Sequence, residues 1–144
     1  MNLWPPFLFS GIKITDLPED FLSATVRLRL RWWNRNVAGV LFGGSLFAMT
    51  DPFWMMLLLR HLGKENVIWD RAAEIDFIKP GKGDVVAHFA ITEADIERLR
   101  KAAAGGAKVL EWFTVEVRDS SGDVVARVRK QVYLRRKRDL PAAG

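Results

Sequence analysis

Short runs of alternating apolar and polar residues recur along this sequence. In segment 25–31 three aliphatic residues alternate with three arginines, namely Val26, Leu28 and Leu30 with Arg27, Arg29 and Arg31. A period of two is typical of a β-strand with one buried and one solvated face. Related patterns predict strands at 67–79, 84–91, 107–118 and 124–135, and a short first strand is expected at 11–17.

The alternation also predicts which strand residues face the core. In segment 67–79 the inward residues are expected to be Val67, Trp69, Ala73, Ile75 and Phe77. In segment 124–135 they are expected to be Val124, Ala126, Val128, Val132 and Leu134, with Arg127, Arg129 and Arg135 on the opposite face. Each long strand should therefore have one apolar face.

Segment 44–61 differs from the strands because it is apolar on nearly every side. A helix without a polar face belongs in the middle of a structure. Pro52 should interrupt this helix near Met49, since proline removes a helical hydrogen bond. Gly63 is expected to end it.

The wider apolar stretch 37–59 carries a single charge, Asp51, and is long enough to span a bilayer. Three features oppose that interpretation. A charge near the middle of the stretch is costly in lipid, Gly43 and Gly44 divide the stretch, and the amphipathic strands need a core to cover. The pattern favours a helix buried in a sheet protein over a membrane span.

A second helix is predicted at 92–104, with Thr92 as N-cap, Asp95 in the capping-box position and glycines at 105 and 106 to end it. Turn sequences at 80–83 and 120–123 join neighbouring strands. The resulting order, β-β-α-β-β-α-β-β, predicts an α+β fold in which an antiparallel sheet wraps around a long central apolar helix.

The chain is expected to form one domain over residues 1–144, because its length suits one ordinary domain. Residues 1–10 are expected to be irregular and anchored by Trp4, Phe7 and Phe9, and residues 136–144 to form a basic tail. The opening residues lack the order of a signal peptide, so a cytoplasmic location is expected.

Composition adds a basic balance, with a formal net charge of +5. Much of the excess lies at 27–35 and 127–138, and such surface suits nucleic acid, an acidic membrane surface or a phosphorylated small molecule, or is simply a solvated face. The 17 acidic residues are spread throughout and weigh against nucleic acid. The absence of cysteine excludes disulfides and thiolate chemistry.

The candidate chemistry lies at the start of the central helix. Gly43 and Gly44 allow close approach to the backbone, where the first amides of a helix have no internal partner and favour a developing oxyanion. Asp51 lies about two turns further on the same side, about 11 Å along the axis. The alternatives are a packing role for the glycines and an N-cap role for Asp51 before Pro52. His61 and His88 are too far apart in sequence to suggest a metal site, and neither metal nor cofactor is expected.

Two segments carry a resemblance to a known family. Segment 36–51, with Asn36, Gly39, Gly43, Gly44 and Asp51, resembles the helix segment of hotdog-fold acyl-CoA thioesterases, in particular the phenylacetyl-CoA thioesterase-like group. Segment 77–80, Phe-Ile-Lys-Pro followed by glycine, resembles that group's strand after the helix. The group has His-Gly-Gly at the helix start, and Phe42 replaces the histidine here, as in a poorly characterised Phe-Gly-Gly branch.

The resemblance implies an acyl thioesterase acting on acyl-CoA or an acyl-carrier thioester, assembled as a homodimer or a dimer of dimers with sites at the subunit interface. Asp51 would be general base or nucleophile, the Gly43 amide would polarise the carbonyl, and Asn36 would orient ligand or water. Phe42 and Gly44 would line the substrate site. On charge alone, Lys79, Lys82 or Arg135 would meet coenzyme A phosphates. Loss of the histidine leaves a non-catalytic acyl-binding protein as the alternative.

Overall fold

The computed structural model describes residues 1–139, so the end of the predicted basic tail lies outside the described residues. The helices are α1 (Pro5–Ser10), α2 (Gly43–Ala48), α3 (Phe53–Leu62) and α4 (Glu93–Ala103). The strands are β1 (Ile12–Asp16), β2 (Ser23–Leu28), β3 (Asn66–Phe77), β4 (Val85–Ala90), β5 (Val109–Asp119) and β6 (Val124–Arg136). The predicted strands and the predicted second helix are confirmed, with boundaries that differ by a few residues.

The strands form one antiparallel sheet in the order β1-β2-β4-β5-β6-β3, and its inner face covers α3. Phe53 and Trp54 of α3 stack on Phe89 of β4 and Phe113 of β5, with ring centroids 4.9 and 4.7 Å apart. Leu57 is fully buried in the same core. The sheet therefore packs along the apolar helix, whose nearly complete lack of polar side chains requires that it be buried.

The central helix is divided at Pro52, as predicted. α2 ends at Ala48, and the carbonyl of Phe47 at that end accepts from both the hydroxyl of Thr50 at 2.7 Å and its amide at 3.0 Å. α3 then begins at Phe53 without a side-chain cap. The alternative role of Asp51 as an N-cap is therefore wrong, and its carboxylate is available for another partner.

The inward face predicted for β3 is wrong in its first half. Val67 and Trp69 are exposed, whereas Asn66 and Ile68 are buried. The pairing with β6 shifts register between Asp70 and Ala72. A bulge inserts one residue and exchanges the two faces of a strand, so a single alternation cannot describe both halves.

The far half of β3 also departs from the predicted inward face. Ala73 is exposed and Phe77 is 59% exposed, while Ile75 is partly buried. Phe77 lies at the end of the strand, where its ring packs against Gly43 at the start of α2 instead of entering the core.

The N-terminal segment is helical where irregular structure was expected. Pro5 and Pro6 occupy the first two positions of α1, where a missing amide hydrogen costs nothing, and Gly11 ends the helix with a φ of 80°. Of the three expected anchors only Phe7 is buried, stacked on Phe53 with ring centroids 5.9 Å apart. Trp4 and Phe9 are exposed.

Within residues 1–139, no helix is long and apolar enough to cross a membrane. The long apolar stretch of the sequence is divided between the loop before α2, α2 itself and α3.

The capping box of α4 is confirmed. The amide of Asp95 donates to the Thr92 hydroxyl at 3.0 Å, and the Thr92 amide donates to the Asp95 carboxylate at 2.9 Å. The hydrogen bond from the Thr92 amide, then that from its hydroxyl, lowers the pKa of Asp95. The charged carboxylate therefore stabilises the folded state at pH values above the ordinary pKa of an aspartate. This stabilisation is lost as the pH falls through the lowered pKa.

We expect Asp95→Ala to lower the free energy of unfolding by about 0.5–1 kcal/mol near neutral pH, because α4 loses its reciprocal cap. Urea denaturation between about pH 7 and pH 3 should show the difference between wild type and variant shrinking as the pH falls. A difference that stays constant or grows at low pH would contradict the role given to the charged carboxylate.

Candidate active site

The start of α2 presents two backbone amides without hydrogen-bond acceptors. Phe42 precedes the helix in an extended conformation, with φ −64° and ψ 129°, and its own amide donates to the carbonyl of Asn34 at 3.0 Å. Within residues 1–139, the amides of Gly43 and Gly44 donate to no backbone or side-chain acceptor. These amides are the donors that the first turn of a helix leaves unsatisfied.

Both glycines lie beneath aromatic rings. A Cβ at Gly43 would stand 3.1 Å from the ring of Phe77, and a Cβ at Gly44 would overlap the ring of Phe42. Both rings are more than half exposed. Because glycine has no side chain, both positions permit this close packing, which agrees with the packing role given above as an alternative. Neither amide is covered by a side chain of its own residue.

A cleft on one side of α2 contains Gly43. Its volume is about 500 Å³, and its walls are Asn36, Ala38, Val40, Leu41, Gly43, Leu46, Phe77, Ile78, Lys79, Pro80 and Gly81. We call it the Asn36 cleft. It brings three predicted site residues together, since Asn36, Gly43 and Lys79 all line it.

A smaller pocket on the other side of α2 contains Gly44 and Asp51. Its volume is about 290 Å³, and its walls are Trp4, Pro6, Phe7, Gly44, Phe47, Ala48 and Asp51. We call it the Asp51 pocket. Within one chain, Gly43 and Asp51 therefore line different cavities, which α2 separates.

Asn36 organises the loop that leads into α2. Its side-chain oxygen accepts from the amides of Ala38 at 2.9 Å and Val40 at 3.3 Å, and its backbone amide donates to the Val40 carbonyl at 2.8 Å. These bonds describe a tight Asx-type turn. Asn36 is partly buried, so it holds the turn and also forms part of the cleft wall.

Asp51 is paired with a lysine that the sequence reasoning did not single out. Lys130 of β6 donates to the carboxylate of Asp51 and, at 2.8 Å, to that of Asp70 on β3. The lysine side chain is 3% exposed, that of Asp70 is 20% exposed and that of Asp51 is 58% exposed. A buried ammonium thus connects the break between α2 and α3 to two strands of the sheet.

One signal for Lys130 was present in the sequence. Its position has the same parity as Ala126, Val128, Val132 and Leu134, all of which are buried. Alternation therefore puts Lys130 on the inward face of β6, where a charge must be paired. Its partners come from residues far away in sequence, and the alternation could not identify them.

Lys79 and Lys82 line a third pocket, of about 400 Å³, which also contains Asp84 and Asp119. The Lys79 ammonium donates to Asp123 and pairs with Asp119 at 2.7 Å. The hydrogen bond to Asp119, then that to Asp123, raises the pKa of Lys79, and the bond with Lys79 lowers the pKa of Asp119. A phosphate at this pocket would compete with these carboxylates for Lys79.

The remaining basic candidate lies elsewhere. Arg135 donates to the carbonyl of Gly106 at 3.0 Å, beside the end of α4, and lines neither the Asn36 cleft nor the Asp51 pocket. Within the described part of the chain, no three histidine or acidic side chains are grouped so that they could hold a metal ion.

A family model for a domain of unknown function, DUF4442, matches residues 1–134. No curated protein matches the sequence.

Solved structures share the fold at low sequence identity. A probable thioesterase of Pseudomonas aeruginosa is 20% identical with a TM-score of 0.82, and the match covers 93% of this chain and 89% of that one. A mutant of a Staphylococcus aureus thioesterase is 11% identical with a TM-score of 0.68, covering 92% and 99%. A mutant of the phenylacetic acid degradation protein PaaI of Thermus thermophilus is 20% identical with a TM-score of 0.62, covering 90% and 98%. The predicted hotdog fold is confirmed.

We expect Lys130→Met to lower the free energy of unfolding by about 2–3 kcal/mol, because it leaves two carboxylates without their shared cation. The loss should stay below that of a fully enclosed ion pair, since Asp51 is half exposed. Arg100→Met is the matched control, because it breaks a surface pair with Glu97 and should cost under about 1 kcal/mol. Equal losses for the two variants in urea denaturation would contradict a structural role for the buried lysine.

Proposed function

The chain belongs to the DUF4442 family, a family of unknown function, and on this basis together with its fold and its site we propose that it hydrolyses acyl thioesters. The observation that carries the proposal is the pair of helix-start amides without acceptors, of which Gly44 shares a pocket with the Asp51 carboxylate that a buried lysine holds. Its solved structural neighbours include proteins named as thioesterases. The proposed substrates are acyl-CoA or acyl-carrier thioesters, and the proposed location is the cytoplasm.

Asp51 is the proposed general base or nucleophile. As a base it takes a proton from water while the water oxygen bonds to the thioester carbonyl carbon, and the carbon–sulfur bond then breaks to release acid and thiol. Two features support the assignment. The carboxylate is accessible, and Lys130 fixes its orientation through an ion pair that the sheet buries.

The Gly43 amide is the proposed donor to the carbonyl oxygen, which gains negative charge as the bond to water forms. Its support is that the amide has no acceptor within the described chain and lines the Asn36 cleft. The cleft walls are largely apolar and suit an acyl chain, with Asn36 at the polar end. Gly44 and Phe42 border the same helix start, and Lys79 or Lys82 would meet carrier phosphates.

The proposed site is shared between two chains. Gly43 and Asp51 line separate cavities of one protomer, so a second protomer would bring the Gly43 amide of one chain to Asp51 of the other. β3 supports such an assembly, because it is a 12-residue strand at the edge of the sheet. An open edge of this length is a template for pairing with another strand. A homodimer, or a dimer of dimers, is the proposed state.

A second candidate function is acyl binding without turnover. The observation that favours it is the ring of Phe42, which lies over Gly44 where the resembled group has a histidine. A phenyl ring offers no hydrogen bond to a carbonyl or to water. This candidate predicts saturable binding of acyl-CoA with no released thiol.

We expect Asp51→Asn to lower thiol release from acyl-CoA about 10³-fold, since the amide cannot take the proton. The assay compares short, long and aromatic acyl-CoAs by the appearance of free thiol. Asp16→Asn on the exposed end of β1 is the matched control and should retain wild-type rates. Undiminished turnover by Asp51→Asn would refute the role of Asp51, and binding without turnover by wild type would establish the second candidate.

Gly43→Pro should remove the amide hydrogen and little else. Proline is favoured at the first position of a helix, and the extended Phe42 has the conformation that a residue before proline adopts. We expect kcat to fall about 10²–10³-fold, the usual cost of one oxyanion donor. Gly43→Ala is the control, because its Cβ meets the same Phe77 ring while the amide hydrogen stays. Equal rates for the two variants would exclude the amide from catalysis.

If the site is shared, mixed dimers of Asp51→Asn and Gly43→Pro subunits should regain activity. Each mixed dimer has one site with both native groups, although each parent protein lacks one of the two groups at every site. The measurement is thiol release after the two proteins are unfolded and refolded together. Activity no higher than that of the parents, in material shown to be mixed dimers, would contradict a shared site.

A further inference from the structure

A group of aromatic and basic side chains lies exposed where the end of α1 meets the loop after β2. Phe9, Trp32 and Trp33 are 73%, 80% and 51% exposed. Arg29, Arg31 and Arg35 are exposed on the same loop. We call these six residues the aromatic–basic patch. Clustered exposed aromatic rings mark an interaction surface more often than a bare solvent face.

The patch is held rigidly by hydrogen bonds between its two segments. The indole nitrogen of Trp33 donates to the carbonyl of Phe9 at 2.9 Å, and the amide of Arg29 donates to the carbonyl of Gly11 at 3.1 Å. Asn34, which is 5% exposed, donates to the carbonyls of Ser10 at 2.9 Å and Arg29 at 2.7 Å. The exposed rings are therefore presented by an ordered platform.

The charge of the patch is only partly balanced by nearby acids, since Asp84 lies close enough to Arg29 to interact with its charge. Within residues 1–139, Arg29, Arg31 and Arg35 form no ion pair with a carboxylate. The carboxylate of Asp84 is already paired with Arg27 at 2.5 Å and accepts the Leu30 amide at 2.9 Å. The guanidinium of Arg31 instead lies 6.0 Å from the centre of the Trp33 ring. Arg31 thus faces solvent beside an aromatic ring, and Arg29 and Arg35 are exposed on the same loop without an ion pair.

We propose that the aromatic–basic patch docks the protein on an anionic lipid bilayer. Tryptophan rings settle at the level of lipid headgroups, and arginines there meet lipid phosphates. Phe9 and the neighbouring Leu8, both exposed on the short helix α1, would enter the acyl boundary. The opposite side of α1 buries Phe7, so docking uses a face that the core leaves uncovered.

Charge complementarity selects this partner over a second copy of the chain. A two-fold interface centred on the patch would bring the arginines of one copy close to those of the other, and the patch itself contains no carboxylate to separate them.

Docking would also bring the Asp51 pocket close to the lipid, since Trp4, Pro6 and Phe7, in and beside α1, line that pocket. The proposal does not require the pocket to be catalytic.

The test is flotation with lipid vesicles. Binding is expected to phosphatidylcholine vesicles that contain phosphatidylglycerol, to weaken as salt is added, and to be far weaker with phosphatidylcholine alone. Absence of binding to the anionic vesicles at low salt would overturn the proposal. Binding of equal strength to both kinds of vesicle would overturn the role of the arginines.

Matched variants separate the patch from net charge. We expect Arg31→Ala combined with Arg35→Ala to weaken partitioning about 25-fold, at about fivefold for each arginine. Lys101→Ala combined with Lys108→Ala lowers net charge equally and should change partitioning little, because both lysines lie outside the patch. Equal effects of the two pairs would show attraction by overall charge alone and refute the patch.

The aromatic part has its own test. Trp32→Ser should weaken partitioning onto vesicles about tenfold, because the variant lacks the indole ring whose transfer out of water favours binding. Trp112→Ser on β5 is the control and should leave partitioning unchanged. If Trp32→Ser instead alters the mass of the protein in solution and not vesicle binding, the patch is a protein interface and the proposal fails. The proposal also fails if the protein binds a single-stranded oligonucleotide and the variants weaken oligonucleotide binding but not vesicle binding.

Discussion

Burial of the apolar helix α3 is the constraint on which this structure depends. Its side chains are apolar almost throughout and only Leu59 and Arg60 are exposed, so the sheet must pack on one side while α1 and α4 close most of the others. Phe53, Leu57 and Leu62 are each 1% exposed or less, and such burial is worth about 1.5–3 kcal/mol per side chain. The loop before α2 is held to the turn after β3, where the amide of Leu41 donates to the carbonyl of Gly81 at 2.9 Å.

The break in the central helix turns this packing into a site. Pro52 separates α2 from α3, and the carboxylate of Asp51 is exposed at the break instead of being absorbed into a continuous helix. Lys130 ties that carboxylate to the sheet, and Asp70 completes the group at the bulge of β3. Stability and the proposed chemistry therefore depend on the same buried ammonium, which explains why a charge is tolerated on the inner face of β6.

The surface divides into regions with different chemistry. Along the outer face of β6, arginines are matched by acids, as Arg127 is by Glu116 and Arg129 by Glu74. The arginines after β2 have no such partners and lie beside exposed tryptophans. A basic composition thus has two separate causes here, one structural and one that we attribute to a lipid partner.

Local pattern determined much of the fold. Alternation located the strands, the all-apolar run located the central helix, and Thr92 with Asp95 marked the start of α4, because each of these signals acts within a few residues. The break at Pro52 was equally local. The resemblance in segment 36–51 pointed to the hotdog fold and to the helix start, and Asn36, Gly43, Gly44 and Asp51 do line two cavities beside α2.

Only the tertiary structure decided the rest. The bulge of β3 depends on how that strand pairs with β6, and it reversed the faces expected for Val67 and Trp69. Lys130 could be placed on a buried face by alternation, but Asp51 and Asp70 became its partners only when segments distant in sequence packed together. A charge or a bulge is settled by its neighbours in space, whereas a turn, a cap or an apolar stripe is settled by its neighbours along the chain.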